Sequence, residues 1–265
     1  MSPFKTYTAR LVRSISLSEF TKHLEFEVRG ETRFGFVPGQ WLSVKASAPN
    51  RNDVTRAYSI ASPPSPNGSF AFCLNRVQDG FMSNYLCNLT EGSEVTFQGP
   101  FGDFILRQPL RDTIFIATGT GIAPFRSMLH ALFDSDNGPS SSRDGSSDQM
   151  AGLDVQITRS PDHPMSRSFW LLFGARREQD IYYRDEFERL AADHPNFHFL
   201  PTLSRPEPEW SGLRGYVQQH VANIVGTRTD MHAYICGLDK MVKTNRELLK
   251  CLGWDRRSVR YEKYD

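Results

Sequence analysis

The chain has 265 residues, of which 39% are hydrophobic and 23% charged, and its formal net charge is +1. That length suits one or two domains with real cores, and the composition is that of a folded chain, not a disordered one. Charge so near balance gives no reason to expect nucleic acid as a partner, and no run approaches the ~18 apolar residues of a membrane span.

The N-terminus, Met1–Lys5, lacks an apolar signal core, so the expectation is a cytoplasmic protein. The cysteines, Cys73, Cys87, Cys236 and Cys251, form no C-x-x-C pair and do not follow the spacing of a plant-type iron–sulfur cluster. Free thiols suit a reducing compartment, and no metal centre is expected.

The first hundred or so residues read as β-structure. Thr6–Val12, Thr21–Val28, Trp41–Lys45, Ala57–Ile60, Phe70–Val77 and Glu94–Gln98 are short runs rich in β-branched and aromatic residues, separated by Gly, Pro and Asn. A helix over Ser83–Leu89, with Ser83 as its N-cap, interrupts them. Together they predict a small antiparallel β-barrel with a helical lid.

The pattern changes after Arg107-Gln108-Pro109. Apolar runs at Thr113–Thr118, Phe169–Phe173, Phe197–Leu203, Met231–Cys236 and Val259–Glu262 alternate with helical segments. Those segments are Pro124–Phe133, Asp185–Ala192, Tyr216–Ile224 and Lys240–Leu252. The alternation predicts a doubly wound α/β domain with a parallel sheet. The boundary is placed near Pro109, giving domains of residues 1–108 and 109–265. Residues 134–167, rich in Ser, Gly, Asp and Pro, are expected to form a mobile surface insertion, with a possible strand or hairpin at Leu153–Thr158.

Four motifs sit at the ends of these elements. Arg56-Ala57-Tyr58-Ser59 puts Arg56 and Tyr58 on one strand face: a guanidinium that can fork onto phosphate and a ring that can lie against a planar heterocycle. An ordinary strand with alternating faces carries the same residues. Gly80-Phe81-Met82-Ser83 opens a helix whose free N–H groups favour an anion, or is simply a capped turn. Gly99-Pro100-Phe101-Gly102-Asp103-Phe104 reads as a tight turn between domains, a structural role first of all. Thr118-Gly119-Thr120-Gly121-Ile122-Ala123-Pro124 joins an apolar strand to a helix, where glycines admit a pyrophosphate and Pro124 suits the first turn. It is not the G-x-G-x-x-G fingerprint.

In order and spacing, Arg56-x-Tyr58-Ser59, Gly80-x-x-Ser83, Gly119-Thr120-Gly121-x-x-Pro124 and Cys236-Gly237 resemble the ferredoxin–NADP reductase superfamily, over nearly the whole chain outside 134–167. The resemblance implies an N-terminal barrel that binds FAD and a C-terminal domain that binds NAD(P)H. It implies that Arg56 and Ser83, with Gly80, hold the flavin pyrophosphate, that Tyr58 packs on the flavin, and that Ser59 sits by its N5. Gly119, Thr120, Gly121 and Pro124 would shape the nicotinamide nucleotide site. Cys236 would lie beside the nicotinamide; a small buried core thiol is the alternative. At the C-terminus, Glu262 would support proton delivery near Ser59 and Tyr264 would cover the flavin, although Asp265 departs from the family's usual ending and a frayed tail is the alternative.

By the same resemblance, Ser204 and Arg205, with Arg214 or Tyr216 nearby, would bind the 2′-phosphate of NADP, and Arg176 and Arg177 are further candidates. A bland turn at Arg205-Pro206-Glu207 is the alternative. NADPH is the expected nucleotide, with NAD open. The one-electron partner is expected to be a separate ferredoxin or flavodoxin, or another iron–sulfur protein, and the chain itself a monomer. An NADH-dependent reductase component of an oxygenase, a non-catalytic nucleotide-binding subunit and a flavin-free relative stay open as other readings.

Overall fold

The computed structural model describes residues 5–30, 34–47, 53–133 and 166–264. The insertion, with Leu153–Thr158, lies outside the described residues except for its last two, and Asp265 lies outside them too.

The N-terminal part is a six-stranded antiparallel sheet built from β1 (Thr6–Ser16), β2 (Thr21–Val28), β3 (Trp41–Ala46), β4 (Val54–Ser59), β5 (Ser69–Asn75) and β6 (Glu94–Phe101), in the order β4-β3-β6-β1-β2-β5. A bridge between Ile60 and Phe72 links the two end strands and closes the sheet. Alternation builds the core: Ala9 and Leu11 on β1 and Leu24 and Phe26 on β2 point inward, between partly exposed neighbours such as Glu25 and Glu27. Phe26, Phe34, Phe70, Phe72 and Phe97 pack together inside.

The C-terminal part is a six-stranded sheet with every described pairing parallel. Its strands are β7 (Thr113–Thr118), β8 (Phe169–Ala175), β9 (Phe197–Leu203), β10 (Leu213–Arg214), β11 (His232–Leu238) and β12 (Val259–Tyr264), in the order β10-β9-β8-β7-β11-β12. Helices α2 (Ala123–Phe133) and α3 (Arg184–Asp193) contribute to the core that covers one face; α4 (Val221–Val225) and α5 (Asp239–Cys251) contribute to that on the other. Covered on both faces, β7 is a continuous buried run, Ile114-Phe115-Ile116-Ala117, instead of an alternating one. The core beneath α2 also takes in Ala61, Cys73 and Phe104, so the packing is continuous between the two sheets.

Two expected elements differ. The barrel helix, α1 (Phe81–Cys87), starts two residues early, with Gly80 as its N-cap and no side-chain cap. Ser83 therefore lies within the first turn, where its Oγ accepts from the Val77 N–H (3.0 Å) and donates to the Gly80 carbonyl (3.1 Å). The helix expected over Tyr216–Ile224 breaks into a 3₁₀ turn, Val217–Gln219, and the short α4. The Gln219 amide oxygen folds back to accept from the Tyr216 N–H (2.6 Å), and His220 is tied to the Arg214 carbonyl and the Thr202 hydroxyl.

Candidate active site

In the C-terminal sheet, β7 has one neighbour that follows it in sequence order and one that comes from across the sheet. Such a switch point leaves a crevice outside the strand ends. A crevice of about 820 Å³ opens here, with Thr118, Gly119 and Gly237 on its α/β side and Phe20, Thr21 and Arg76 on its barrel side. Close approach of the two loops depends on small residues. A Cβ on Gly121 would strike the Cys236 carbonyl, and Gly237, at φ +138°, has the Thr118 hydroxyl where a side chain would begin.

Strand ends bring the expected reactive groups together. β4 ends at Ser59, and β12, paired parallel to β11, sets Glu262 opposite Cys236 and Tyr264 opposite Leu238. Ser59 Oγ lies 3.5 Å from Glu262 Oε2, and Tyr264 donates its phenol to Ser59 Oγ at 2.5 Å. Tyr264 also meets the Cys236 thiol. A hydroxyl, a thiol, a carboxyl and a phenol thus converge from both parts of the chain. Burial raises the Glu262 carboxyl to about 7; the Ser59 hydrogen bond opposes this and Asp103 adds to it. Burial, and next the Glu262 charge, push the Cys236 thiol well above its ordinary value, so it stays protonated.

Towards the other end of the crevice, Ser204, Arg205, Tyr216 and Arg176 line the wall. Tyr216 is 62% exposed, its ring open to the crevice. Arg214 is not among these lining residues. Its Nη2 is taken by the carbonyls of Glu207, Pro208 and Trp210, so it braces the 207–210 loop instead of facing the crevice. Arg177, the N-cap of a 3₁₀ turn, donates its backbone N–H to Asp180 and is not among the lining residues either.

The barrel motif is laid out in parallel. Arg56 is exposed, donates to the Thr55 carbonyl, and has no carboxylate partner among the described residues. Tyr58 packs on Phe72 with ring centroids 5.5 Å apart, and burial raises its phenol to about 12. Gly80 sits tight against Ser83 and Val77, and a Cβ there would touch both.

These residues fit a flavin and a nicotinamide nucleotide. Thr118, in the crevice wall, has an Oγ1 that is buried without a hydrogen-bond partner among the described residues, and a polar ligand group would satisfy it. The exposed Arg56 guanidinium is free to take a phosphate. Sequence reading did not single out Thr118 as a contact, nor Arg76 or Lys240 in the wall. Arg76 is aimed by Asn84 on α1 and Asn88 at its C-cap, a signal legible only once the helix register is known.

The barrel and the parallel sheet, with a crevice between them that meets the Ser59–Glu262–Cys236 cluster at Tyr264, define a two-domain flavin and nicotinamide nucleotide oxidoreductase. Residues 8–105 match the oxidoreductase FAD-binding domain and residues 115–247 the oxidoreductase NAD-binding domain. The chain is 40% identical over 268 residues to ferredoxin–NADP reductase B of Sorangium cellulosum, covering 98% of each. It is 30% identical to the phenol hydroxylase P5 protein of Acinetobacter pittii, covering 89% of this chain but 59% of that one. A ferredoxin NADP+ reductase of Neisseria gonorrhoeae, solved with bound FAD and NADP, superposes with a TM-score of 0.74 at 19% identity, covering 98% of each chain. The cytochrome P450 reductase GcoB of Amycolatopsis superposes at 0.78 with 23% identity, covering 99% of this chain and 71% of that one. The chain belongs to the ferredoxin–NADP reductase superfamily.

Proposed function

We propose that this protein carries electrons between NADPH and a separate one-electron protein carrier, a ferredoxin or flavodoxin, through FAD. The observation that carries the reading is the convergence of Ser59, Glu262 and Cys236 around Tyr264, a crevice-lining residue, from strands of both sheets. Bound FAD supplies the chemistry that joins a hydride donor to one-electron carriers. The chain's own work is to hold, orient and move protons. Arg56, with Gly80 and Ser83, holds the pyrophosphate, and Tyr58 packs against the ring system. Ser59 donates or accepts at the flavin's reactive edge. Cys236, neutral and buried, fills the space beside the nicotinamide and orients it. Glu262, poised near neutrality, exchanges a proton through Ser59. Tyr264 covers the site. Gly119, Thr120, Gly121 and Pro124 shape the nucleotide wall, and Ser204, Arg205 and Tyr216 take its 2′-phosphate.

The reading includes a domain boundary near Pro109, between the last barrel strand and the first parallel one, a monomer, and a cytoplasmic location. No described helix is long and apolar enough to cross a membrane. Relatives among oxygenase electron transfer components support a second reading, an NADH-linked reductase for an oxygenase. Arg205 in the crevice wall favours NADPH. Reduction of cytochrome c by NADPH through added ferredoxin tests the reading: turnover that depends on both FAD and ferredoxin is expected. A flavin-loaded protein that passes no electrons to ferredoxin or flavodoxin would exclude it.

A further inference from the structure

The nucleotide wall and the reactive edge are carried by different sheets, yet hydride transfer tolerates little error in their separation: a misplacement of about 1 Å can cost ~100-fold. Something must set the angle between the two parts. The stitching is concentrated on α2, the helix that follows the Thr118–Gly121 turn. Arg126 Nη1 donates to the Ala61 carbonyl at 2.9 Å, and the next residue, Ser127, donates to the Ser62 carbonyl at 2.6 Å. Those carbonyls lie two and three residues beyond Ser59. The chain of atoms from the nucleotide turn to the reactive hydroxyl is thus one short helix segment, two hydrogen bonds and two residues of backbone.

Arg126 is itself held. Glu186 on α3 grips its Nε and Nη2 in a fork at 2.7 and 2.9 Å, and takes His130 from the next turn of α2 at 2.6 Å. The guanidinium stacks over the Tyr183 ring, 4.7 Å from its centroid. Tyr183 adopts φ +58°, the left-handed region that a bulky residue keeps only when its surroundings hold it. Its hydroxyl reaches His23 on the barrel at 2.9 Å, and its neighbour Tyr182 reaches Thr21 on the same strand at 2.7 Å. With His23 Nε2 donating to Glu25, Nδ1 is left to accept from Tyr183. Burial and the nearby Arg126 hold His23 down at about 4, so its imidazole stays neutral at ordinary pH.

We propose that Arg126, gripped by Glu186 and seated on Tyr183, is the positioning residue that fixes the nucleotide turn against the Ser59 strand for hydride transfer. The proposal rests on the functional reading above. Neither Arg126 nor Glu186 lines the nucleotide crevice, so losing them should misplace the nicotinamide without removing a contact to the nucleotide.

The test compares flavin-loaded parent, Glu186→Gln, Arg126→Met and the double variant Ser127→Ala/Tyr183→Phe. Rapid-mixing reduction by NADPH gives the hydride rate and its half-saturating concentration. Amide exchange over residues 60–62 and 181–187, measured with and without FAD, reports the clasp directly. The expected result is a rate at least about tenfold lower at saturation, half-saturation within about twofold, and exchange about tenfold faster in both segments, with or without flavin. Rates within about twofold of the parent in folded variants overturn the proposal, as does a slow rate without faster exchange. If Arg126→Met or Glu186→Gln fails to fold, the double variant, which leaves the ion pair in place, decides alone. If NADPH does not reduce the parent, the functional reading fails, and the clasp loses its stated purpose.

Discussion

Replacing Glu262 by Gln should make the protein more stable above neutrality, although it removes a reactive group. In the native state burial moves this carboxyl from 4.5 to about 7, so the folded protein holds a proton that the unfolded chain has released. Between those values the folded state binds more protons than the unfolded state, and stability falls as pH rises. The full difference corresponds to about 3 kcal/mol, and partial exposure of Glu262 brings the expected effect to about 1–3 kcal/mol. His23 runs the other way. Burial, then Arg126, lowers it from 6.5 to about 4 against Glu25 and Glu186, so the stability it contributes is present above 6.5 and lost as pH falls towards 4. The two oppose each other in the parent, and Glu262→Gln unmasks the His23 rise. Urea midpoints for parent and variant, measured with equal excess FAD from about pH 4 to about pH 8, give the difference. Curves that coincide at the acid end, part between about pH 4.5 and about pH 7 and stay apart above neutrality, with the variant the more stable, are expected. A variant no more stable than the parent at about pH 8 would refute the assignment of a buried, protonated carboxyl.

Arg205→Ala should raise KM for NADPH by about 10- to 100-fold, leave kcat unchanged and barely affect NADH, as expected for the loss of one charge-assisted phosphate contact. Gly121→Ala places a methyl on the Cys236 carbonyl and should lower stability by about 1–3 kcal/mol, read as a drop in thermal midpoint, together with weakened nucleotide binding. Cys236→Ser, nearly isosteric, should keep the flavin and slow its reduction by about tenfold or more, with the half-saturating NADPH little changed.

The barrel and the parallel sheet were legible because each writes its own period: inward Leu24 and Phe26 alternate with Glu25 and Glu27, whereas Ile114-Phe115-Ile116-Ala117 runs unbroken. The reactive trio was legible only through motif order, since nothing in local sequence tells that β12 pairs with β11 and sets Glu262 opposite Cys236. Ser83 misled because a serine near a helix start reads as a cap, and Gly80, which caps here, has no side chain to announce itself. Arg214 misled because proximity in sequence to Tyr216 does not reveal that three loop carbonyls already hold it. The Arg126–Glu186–Tyr183 clasp was invisible because its partners lie about 60 residues or more apart and belong to no motif.

The central claim is that NADPH delivers hydride to FAD held between these two sheets. An anaerobic titration of the purified, FAD-loaded protein with NADPH and, separately, NADH, followed at the flavin absorbance, tests it most directly. Complete bleaching at about one equivalent of NADPH, faster than with NADH, is the expected result. A flavin that stays oxidised with both nucleotides, or a chain that takes up no FAD, would contradict the account.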